Sequence, residues 1–248
     1  TILCFYCRIL VNIREEHLFT MARQTAISIN TIPIGPLGII GMPGCEELTD
    51  KIDQYLVKWR KTQAIEHAES IAFFGYQRDS YKIDITIPRF GSGEGKGVIN
   101  ESVRGYDIYI VCDVFNYSCT YNMYGKEVCM SPDDHFADLK RVISALCSKP
   151  KRVSVIMPML YEGRQHKRSS RESLDCAMAL KELVHLGVEN IITFDAHDQR
   201  VQNAIPDKSF ENVMPTYQMI KALVNNVDDL KVDKDHLMVI SPDEGALH

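Results

Sequence analysis

The chain has 248 residues, which is enough to bury a core and fits one large domain or two small ones. Hydrophobic residues make up 45% and charged residues 25% of the sequence, the balance of an ordinary soluble globular protein. The net charge of −5 excludes a global positive field that would draw the chain onto nucleic acid. We therefore expect no nucleic-acid partner, and any basic site must be local.

The amino-terminal stretch and the cysteines indicate where the protein works. Residues 1–20 are too short and too charged for a membrane span and lack a small-residue cleavage site. We expect them to be an extension outside the fold, disordered and without a membrane partner. The eight cysteines are scattered, which predicts free thiols in a reducing cytosol and a cytoplasmic protein. Cys4 and Cys7 form a pair without a second pair, which does not favour zinc.

Apolar runs and helical spacing predict alternating strands and helices in the first half of the chain. The predicted strands are residues 37–40, 71–76, 83–87 and 107–111. Residues 46–60 carry apolar side chains on one face and predict a helix. Residues 113–131 have no clear period, which predicts a long excursion. The run Ser131-Pro132-Asp133-Asp134 predicts a helix start, because serine caps, proline suits the first turn and acids complement the helix dipole.

A strand–helix–strand unit follows. Two predicted strands, residues 153–159 and 189–194, flank a predicted helix over residues 173–186. A basic loop over residues 160–172 precedes this helix, and the pattern Ser169-x-x-Glu172 fits a capping box at the helix entrance. Such a crossover is right-handed with near certainty and predicts a parallel sheet.

The pattern restarts after Phe210. Residues 215–227 predict a helix, and residues 237–240 predict a strand that leads into Ser241-Pro242-Asp243. We expect residues 21–213 to form an amino-terminal α/β domain. Residues 214–248 would then begin a second, similar domain that the chain, truncated here, leaves incomplete.

Two polar segments follow predicted strands, at the end where parallel α/β sheets collect ligands. Asp195 and His197 leave the second strand two residues apart and could both face a divalent cation. The basic loop places four cationic side chains ahead of a helix whose amino end attracts anions: Arg164, Lys167, Arg168 and Arg171. Arginine offers phosphate a bidentate fork and lysine a mobile point charge. The combination favours chemistry on a nucleoside polyphosphate; the alternative is a solvated charge run.

The glycine-rich stretch over residues 91–97 does not fit a phosphate loop. A Walker loop needs four residues between its glycines, and serine or threonine after the lysine, whereas Gly97 follows Lys96 here. Two interpretations remain open: a glycine-rich turn after the strand over residues 83–87, or a mobile loop that presents Phe90 to a flat ring.

These motifs, in this order, resemble the ribose-phosphate diphosphokinase family, the phosphoribosyl diphosphate (PRPP) synthetases. The resemblance runs from about Ile32 to the end of the chain. The matching segments are residues 89–94 (adenine), 101–107 (before a central strand), 164–171 (ATP phosphates), 195–202 (divalent cation) and 241–243 (the next block). The chain departs from the family at Arg200, usually glutamine, at residues 203–205, and in the excursion over residues 113–131, which the short enzymes lack.

The resemblance implies a phosphoribosyltransferase-like parallel sheet with helices on both faces, and diphosphate transfer from ATP to ribose 5-phosphate, giving PRPP and AMP. By carry-over from the family, the catalytic residues are Arg164, Lys167 and His197. The ATP-binding residues are Phe90, Ser92, Glu94, Arg164, Gln165 and Lys167, with Phe90 stacking on adenine. Asp195 and His197 would hold Mg²⁺ or its bound phosphate, and Asp243 would contact ribose 5-phosphate.

The resemblance also bears on partners. It implies a homo-oligomer whose adenine site lies at a subunit interface. The alternative function is a non-catalytic regulatory subunit that binds nucleotide and associates with a true synthetase; a further alternative is a plain nucleotide- or anion-binding regulator on the same sheet. A regulatory subunit would bind ATP without forming product.

Overall fold

The computed structural model describes residues 33–66, 77–227, 230–231, 233 and 235–241. In chain order the elements are β1 (Leu37–Gly41), α1 (Glu46–Glu66), β2 (Ile85–Thr86), β3 (Val98–Ile99), β4 (Asp107–Val111), β5 (Thr120–Met123), β6 (Lys126–Cys129), α2 (Pro132–Ala145), β7 (Arg152–Met157), α3 (Asp175–His185), β8 (Asn190–Phe194), a 3₁₀ helix (Gln199–Ala204), β9 (Ser209–Val213) and α4 (Thr216–Asn226). Most predicted elements are present, and β2 covers only the middle of the strand predicted over residues 83–87.

Five of these strands form the central sheet, in the order β1-β4-β7-β8-β9. Every neighbouring pair is parallel, and Ile110 lies opposite Ile40 on one side and Val155 on the other. A parallel sheet is covered on both faces, which is why its strands read as continuous apolar runs in the sequence. The arrangement confirms the predicted α/β fold class.

Alternate strand residues point to opposite faces and divide the core in two. On one face, Ile110 of β4 is buried in a cluster with Leu139 of α2 and Leu180 of α3. On the other face, Ile39 of β1 is buried in a second cluster against which Ile52 of α1 packs. Helices therefore cover both faces of the sheet.

The two helix starts behave differently. At α2, Ser131 accepts a hydrogen bond from the Asp134 N–H and the Asp134 carboxylate accepts one from the Ser131 N–H, a complete capping box, which confirms the predicted start. At α3, the predicted capping box is wrong. The helix begins at Asp175 without a side-chain cap, because Glu172 instead accepts hydrogen bonds from Ser169 and its neighbour and closes the loop upstream.

The excursion over residues 113–131 contains an antiparallel hairpin, which its lack of period did not predict. Strands β5 and β6 pair with Met123 opposite Lys126, joined by Tyr124 and Gly125. Both joining residues have positive φ, 51° and 75°, as in a type I′ turn. This turn usually carries Asn-Gly or Asp-Gly, so Tyr-Gly gave only a weak signal.

Residues from Pro215 onward belong to a second compact unit, where α4 confirms the predicted helix. The predicted strand over residues 237–240 is wrong: these residues are in no strand, and Val239 is 91% exposed. A strand needs a hydrogen-bonding partner, and the described part of this unit supplies none. The strand predicted over residues 71–76 and the extension over residues 1–20 lie outside the described residues. None of the described helices is long and apolar enough to cross a membrane.

Candidate functional site

The chain turns sharply where β8 ends. Asp195 has a φ of 45°, a left-handed conformation that aspartate tolerates better than most residues. Its N–H donates to the carbonyl of Val213 at 3.1 Å, and the next N–H donates to Oδ1 of Asn212 at 2.9 Å. The adjacent strand β9 thus holds the turn, and the Asp195 side chain is left exposed, without a hydrogen bond or ion pair to another described residue.

The basic loop after β7 is ordered by its own backbone. The Gly163 N–H donates to the Leu160 carbonyl at 3.1 Å, and the Gln165 N–H donates to the Glu162 carbonyl at 2.8 Å. Four cationic side chains are exposed and have no ion pair within the described part of the chain: Arg164, Lys167, Arg168 and Arg171. Four exposed charges without ion pairs are expected both of an anion site and of a solvated charge run, so the two alternatives stay open at this point.

The loop and the strand end meet through a residue that the sequence reasoning left unassigned, His166. Its ring centroid lies 5.0 Å from that of His197, and its Nε2 lies 3.5 Å from Oδ2 of Asp198. Its Nδ1 lies 3.2 Å from the carbonyl of Arg164. Since β7 and β8 are parallel neighbours, their carboxyl ends lie side by side, and His166 contacts both. The sequence feature that could have identified His166 is its position as an imidazole within a cationic loop.

Arg200, which departs from the family pattern, forms an ion pair with a residue close to it in the chain. Its Nε and Nη2 donate to the Asp198 carboxylate at 2.9 and 2.5 Å, and Asp198 also accepts from the Arg200 N–H at the start of the 3₁₀ helix. The Arg200 side chain, more than its backbone, holds the pKa of Asp198 well below its usual range. The guanidinium is therefore paired with Asp198 rather than Asp195.

The side chains at this strand end can serve a metal ion that keeps most of its water. The described residues hold no group of three or more His, Cys, Asp or Glu side chains arranged for a metal ion. Mg²⁺ does not need one, since it commonly binds through one or two carboxylates, several waters and substrate phosphates. Asp195 supplies such a carboxylate and exposed His197 lies two residues on, so the residues present fit that mode of binding.

The glycine-rich stretch forms a closed turn that presents its polar and aromatic side chains to solvent. The Phe90 N–H donates to the Glu94 carbonyl at 2.8 Å, and the Gly93 N–H donates to the Phe90 carbonyl at 2.9 Å. Ser92 Oγ donates to the Glu94 carboxylate at 2.8 Å. The Phe90 side chain is 56% exposed although it is apolar. The glycine-rich turn of the first interpretation is present, and it leaves Phe90 exposed.

The predicted site residues that the structure describes form two groups, one on the glycine-rich turn and one around His166. Within the described residues, no hydrogen bond, ion pair or ring contact joins the glycine-rich turn to the cluster around His166. Asp243 lies outside the described residues.

Comparison with known proteins matches a range of the chain that includes two of these candidate segments. The sequence profile of the N-terminal domain of ribose phosphate pyrophosphokinase matches residues 37–187. The chain belongs to the ribose-phosphate pyrophosphokinase family. This confirms the resemblance drawn from the motifs. The matched range includes the glycine-rich turn and the basic loop, and it ends before Asp195.

This chain matches only part of the length of its relatives and of a solved structure in this family. The ribose-phosphate pyrophosphokinase of Pasteurella multocida is 26% identical over 167 residues, 66% of this chain and 47% of the relative. That of Vibrio cholerae is 26% identical over 168 residues, 66% of this chain and 46% of the relative. A crystal structure of phosphoribosylpyrophosphate synthetase from Mycobacterium smegmatis matches with a TM-score of 0.56 at 18% identity, over 77% of this chain and 52% of that one. This structural match shows a shared fold, and the chain spans about half the length of these proteins.

Proposed function

We propose that this chain supplies the nucleotide- and metal-binding part of a ribose-phosphate diphosphokinase. The reaction transfers diphosphate from ATP to ribose 5-phosphate and gives PRPP and AMP. The observation that carries the proposal is the junction of the unpaired cationic loop with the β8 end at His166 and His197. Family membership names the reaction, and the junction supplies groups that suit it.

The cationic loop suits the phosphates of ATP. Arg164 and Lys167 are exposed and unpaired within the described residues, and Gln165 adds an amide donor between them. Hydrogen bonds from charged donors to phosphate are shorter and about twice as strong as neutral ones. Diphosphoryl transfer relies on positioning and charge neutralisation rather than on a protein nucleophile, so this loop can hold the chain of phosphates in line.

Asp195 and His197 would hold Mg²⁺ or the phosphate bound to it. When bound, the ion neutralises charge on the phosphate oxygens and orients them. The hydrogen-bonded turn after β8 leaves the Asp195 carboxylate exposed to solvent. His166 contacts the His197 ring and the Asp198 carboxylate, and so restricts how far the loop can move from that turn.

The glycine-rich turn would bind the adenine ring. Phe90 offers an exposed face for stacking, and Ser92 with Glu94 offers hydrogen-bonding groups beside it. A homo-oligomer that brings this turn of one subunit to the cationic loop of another would complete the ATP site. Asp243 would contact ribose 5-phosphate.

The test is binding and turnover in the natural protein that contains this chain. Calorimetry with Mg-ATP should show binding, and Lys167→Ala should weaken it about tenfold or more, the scale of one charge-assisted hydrogen bond. Lys181 is exposed on α3, outside the site, so Lys181→Ala removes the same charge and should bind Mg-ATP normally. AMP and PRPP should form when ribose 5-phosphate is added. Binding without product would favour the regulatory subunit, and no binding at millimolar Mg-ATP would overturn both functions.

A further inference from the structure

The β5–β6 hairpin packs against the glycine-rich turn. The N–H of Tyr124, at the hairpin tip, donates to the carbonyl of Gly91 at 2.8 Å. Gly93 has a φ of 92°, and a Cβ added there would lie 2.9 Å from Sδ of Met123 and 3.4 Å from the ring of Tyr121. Hairpin side chains therefore fill the space on the Gly93 side of the turn.

Arg89 connects the turn to the hairpin and to α2. Its guanidinium carbon lies 4.5 Å from the centroid of the Tyr121 ring. Its Nη1 donates to the Gly93 carbonyl at 3.0 Å, and its Nη2 donates to the Asp138 carboxylate at 2.6 Å. The Arg89 side chain is only 11% exposed, so this cation–π contact is largely shielded from water.

We propose that the β5–β6 hairpin is a brace that fixes the conformation of the nucleobase-binding turn, with Tyr121 as its positioning residue. Tyr121 holds Arg89, Arg89 holds the Gly93 carbonyl, and the turn then keeps Phe90 and Glu94 in place. The functional half of this inference rests on the proposed function, in which the turn binds adenine. The conformational half concerns the free protein alone.

A brace is needed because the turn is intrinsically loose. Residues 91–97 contain four glycines, and glycine loses more conformational freedom on ordering than any other residue. Without support, ordering the turn would occur at the moment of binding and would weaken the affinity for nucleotide. A hairpin that orders the turn in advance removes that cost.

The experiment compares Tyr121→Ala with Tyr121→Phe, which keeps the ring over Arg89 and loses the hydroxyl with its long, 3.5 Å hydrogen bond to Asp134. Tyr117→Ala is the matched control, since Tyr117 lies in the same excursion and is 66% exposed. Amide hydrogen exchange at Phe90 and Gly93 in the free protein reports the turn. Affinities for Mg-ATP and, separately, for ribose 5-phosphate report function.

Tyr121→Ala should speed exchange at the turn and weaken Mg-ATP binding about three- to tenfold, the range for losing a shielded cation–π contact. Ribose 5-phosphate affinity should not change. Tyr121→Phe and Tyr117→Ala should both behave as wild type. A general loss of stability would instead weaken both ligands and would not be rescued by phenylalanine.

Unchanged exchange in Tyr121→Ala would overturn the brace, and faster exchange with unchanged ATP affinity would overturn the positioning role. If the wild-type protein binds no ATP, the proposed function fails and the exchange data alone decide whether the hairpin braces the turn. Should Tyr121→Ala not fold, Met123→Ala removes the neighbouring contact with Gly93 and is judged by the same two measurements.

Discussion

The buried carboxylate of Asp138 offers a sharp test of how this fold is held together. Its side chain is 2% exposed and accepts from Arg89 at 2.6 Å and from Arg141 at 2.5 Å. The substitution Asp138→Asn keeps the shape of the side chain and removes its charge. Two guanidinium groups would then lie side by side without the anion that neutralises both.

The expected loss follows from burial. Removing one partner of a buried ion pair costs about 3–5 kcal/mol, because a charge is left uncompensated. Arg141 is 33% exposed, so water can recover part of its solvation, which favours the lower end, about 3 kcal/mol in the free energy of unfolding. The same helix supplies a control: Lys140 pairs with Glu182 at 2.7 Å, with both side chains at least 36% exposed. Glu182→Gln should cost about 0–1 kcal/mol.

Urea unfolding followed by circular dichroism measures both variants. The midpoint should fall clearly for Asp138→Asn and hardly for Glu182→Gln, at an unchanged slope with denaturant. A loss below about 1 kcal/mol for Asp138→Asn, or one no larger than for the control, would contradict the argument from burial and charge.

Three further outcomes are expected from the site and the core. His197→Ala should lower turnover about a hundredfold, the scale for one electrostatic stabiliser, and steady-state kinetics with wild-type-like turnover would contradict its role. Arg200→Ala should raise the pKa of Asp198, because pairing with the arginine lowers that pKa in the folded chain. The stabilisation that this ion pair gives the folded chain is therefore present above about pH 4 and is lost as the pH falls further. A carbon NMR titration that gives the Asp198 carboxyl the same pKa in the variant as in the wild type would refute this. Burial raises the pKa of Cys45 to about 12, so at pH 8 iodoacetamide should label exposed Cys147 before buried Cys45. Equal labelling of the two cysteines by mass spectrometry would count against this.

Local patterns predicted much of the sheet and one helix cap. Strand β4 occupies the residues expected from its apolar run, and Ser131 caps α2 as expected, because each signal depends on a few neighbouring residues. The pattern at Ser169 and Glu172 gave a wrong prediction of a helix cap because it, too, depends on only a few neighbouring residues. The same short hydrogen bonds can cap a helix or close a loop, and only the path of the chain at Asp175 decides between them.

The hairpin shows where local patterns end. Strands β5 and β6 alternate only weakly between exposed and half-buried residues, because a small turn, rather than a core, covers one side of them. The departure at Arg200 was visible in the sequence, but its pairing with Asp198 was not. Which carboxylate an arginine contacts depends on side-chain geometry as well as on spacing.

The sequence by itself determined the α/β character, four of the five strands of the central sheet and the two segments expected to bind nucleotide and metal, because period, capping and charge are local properties. The tertiary structure alone decided that His166 contacts the His197 ring and that Tyr121 packs beside Arg89. Both contacts join segments far apart in the chain. Their existence depends on strand order and loop paths, which are set by packing of the whole sheet rather than by neighbouring residues.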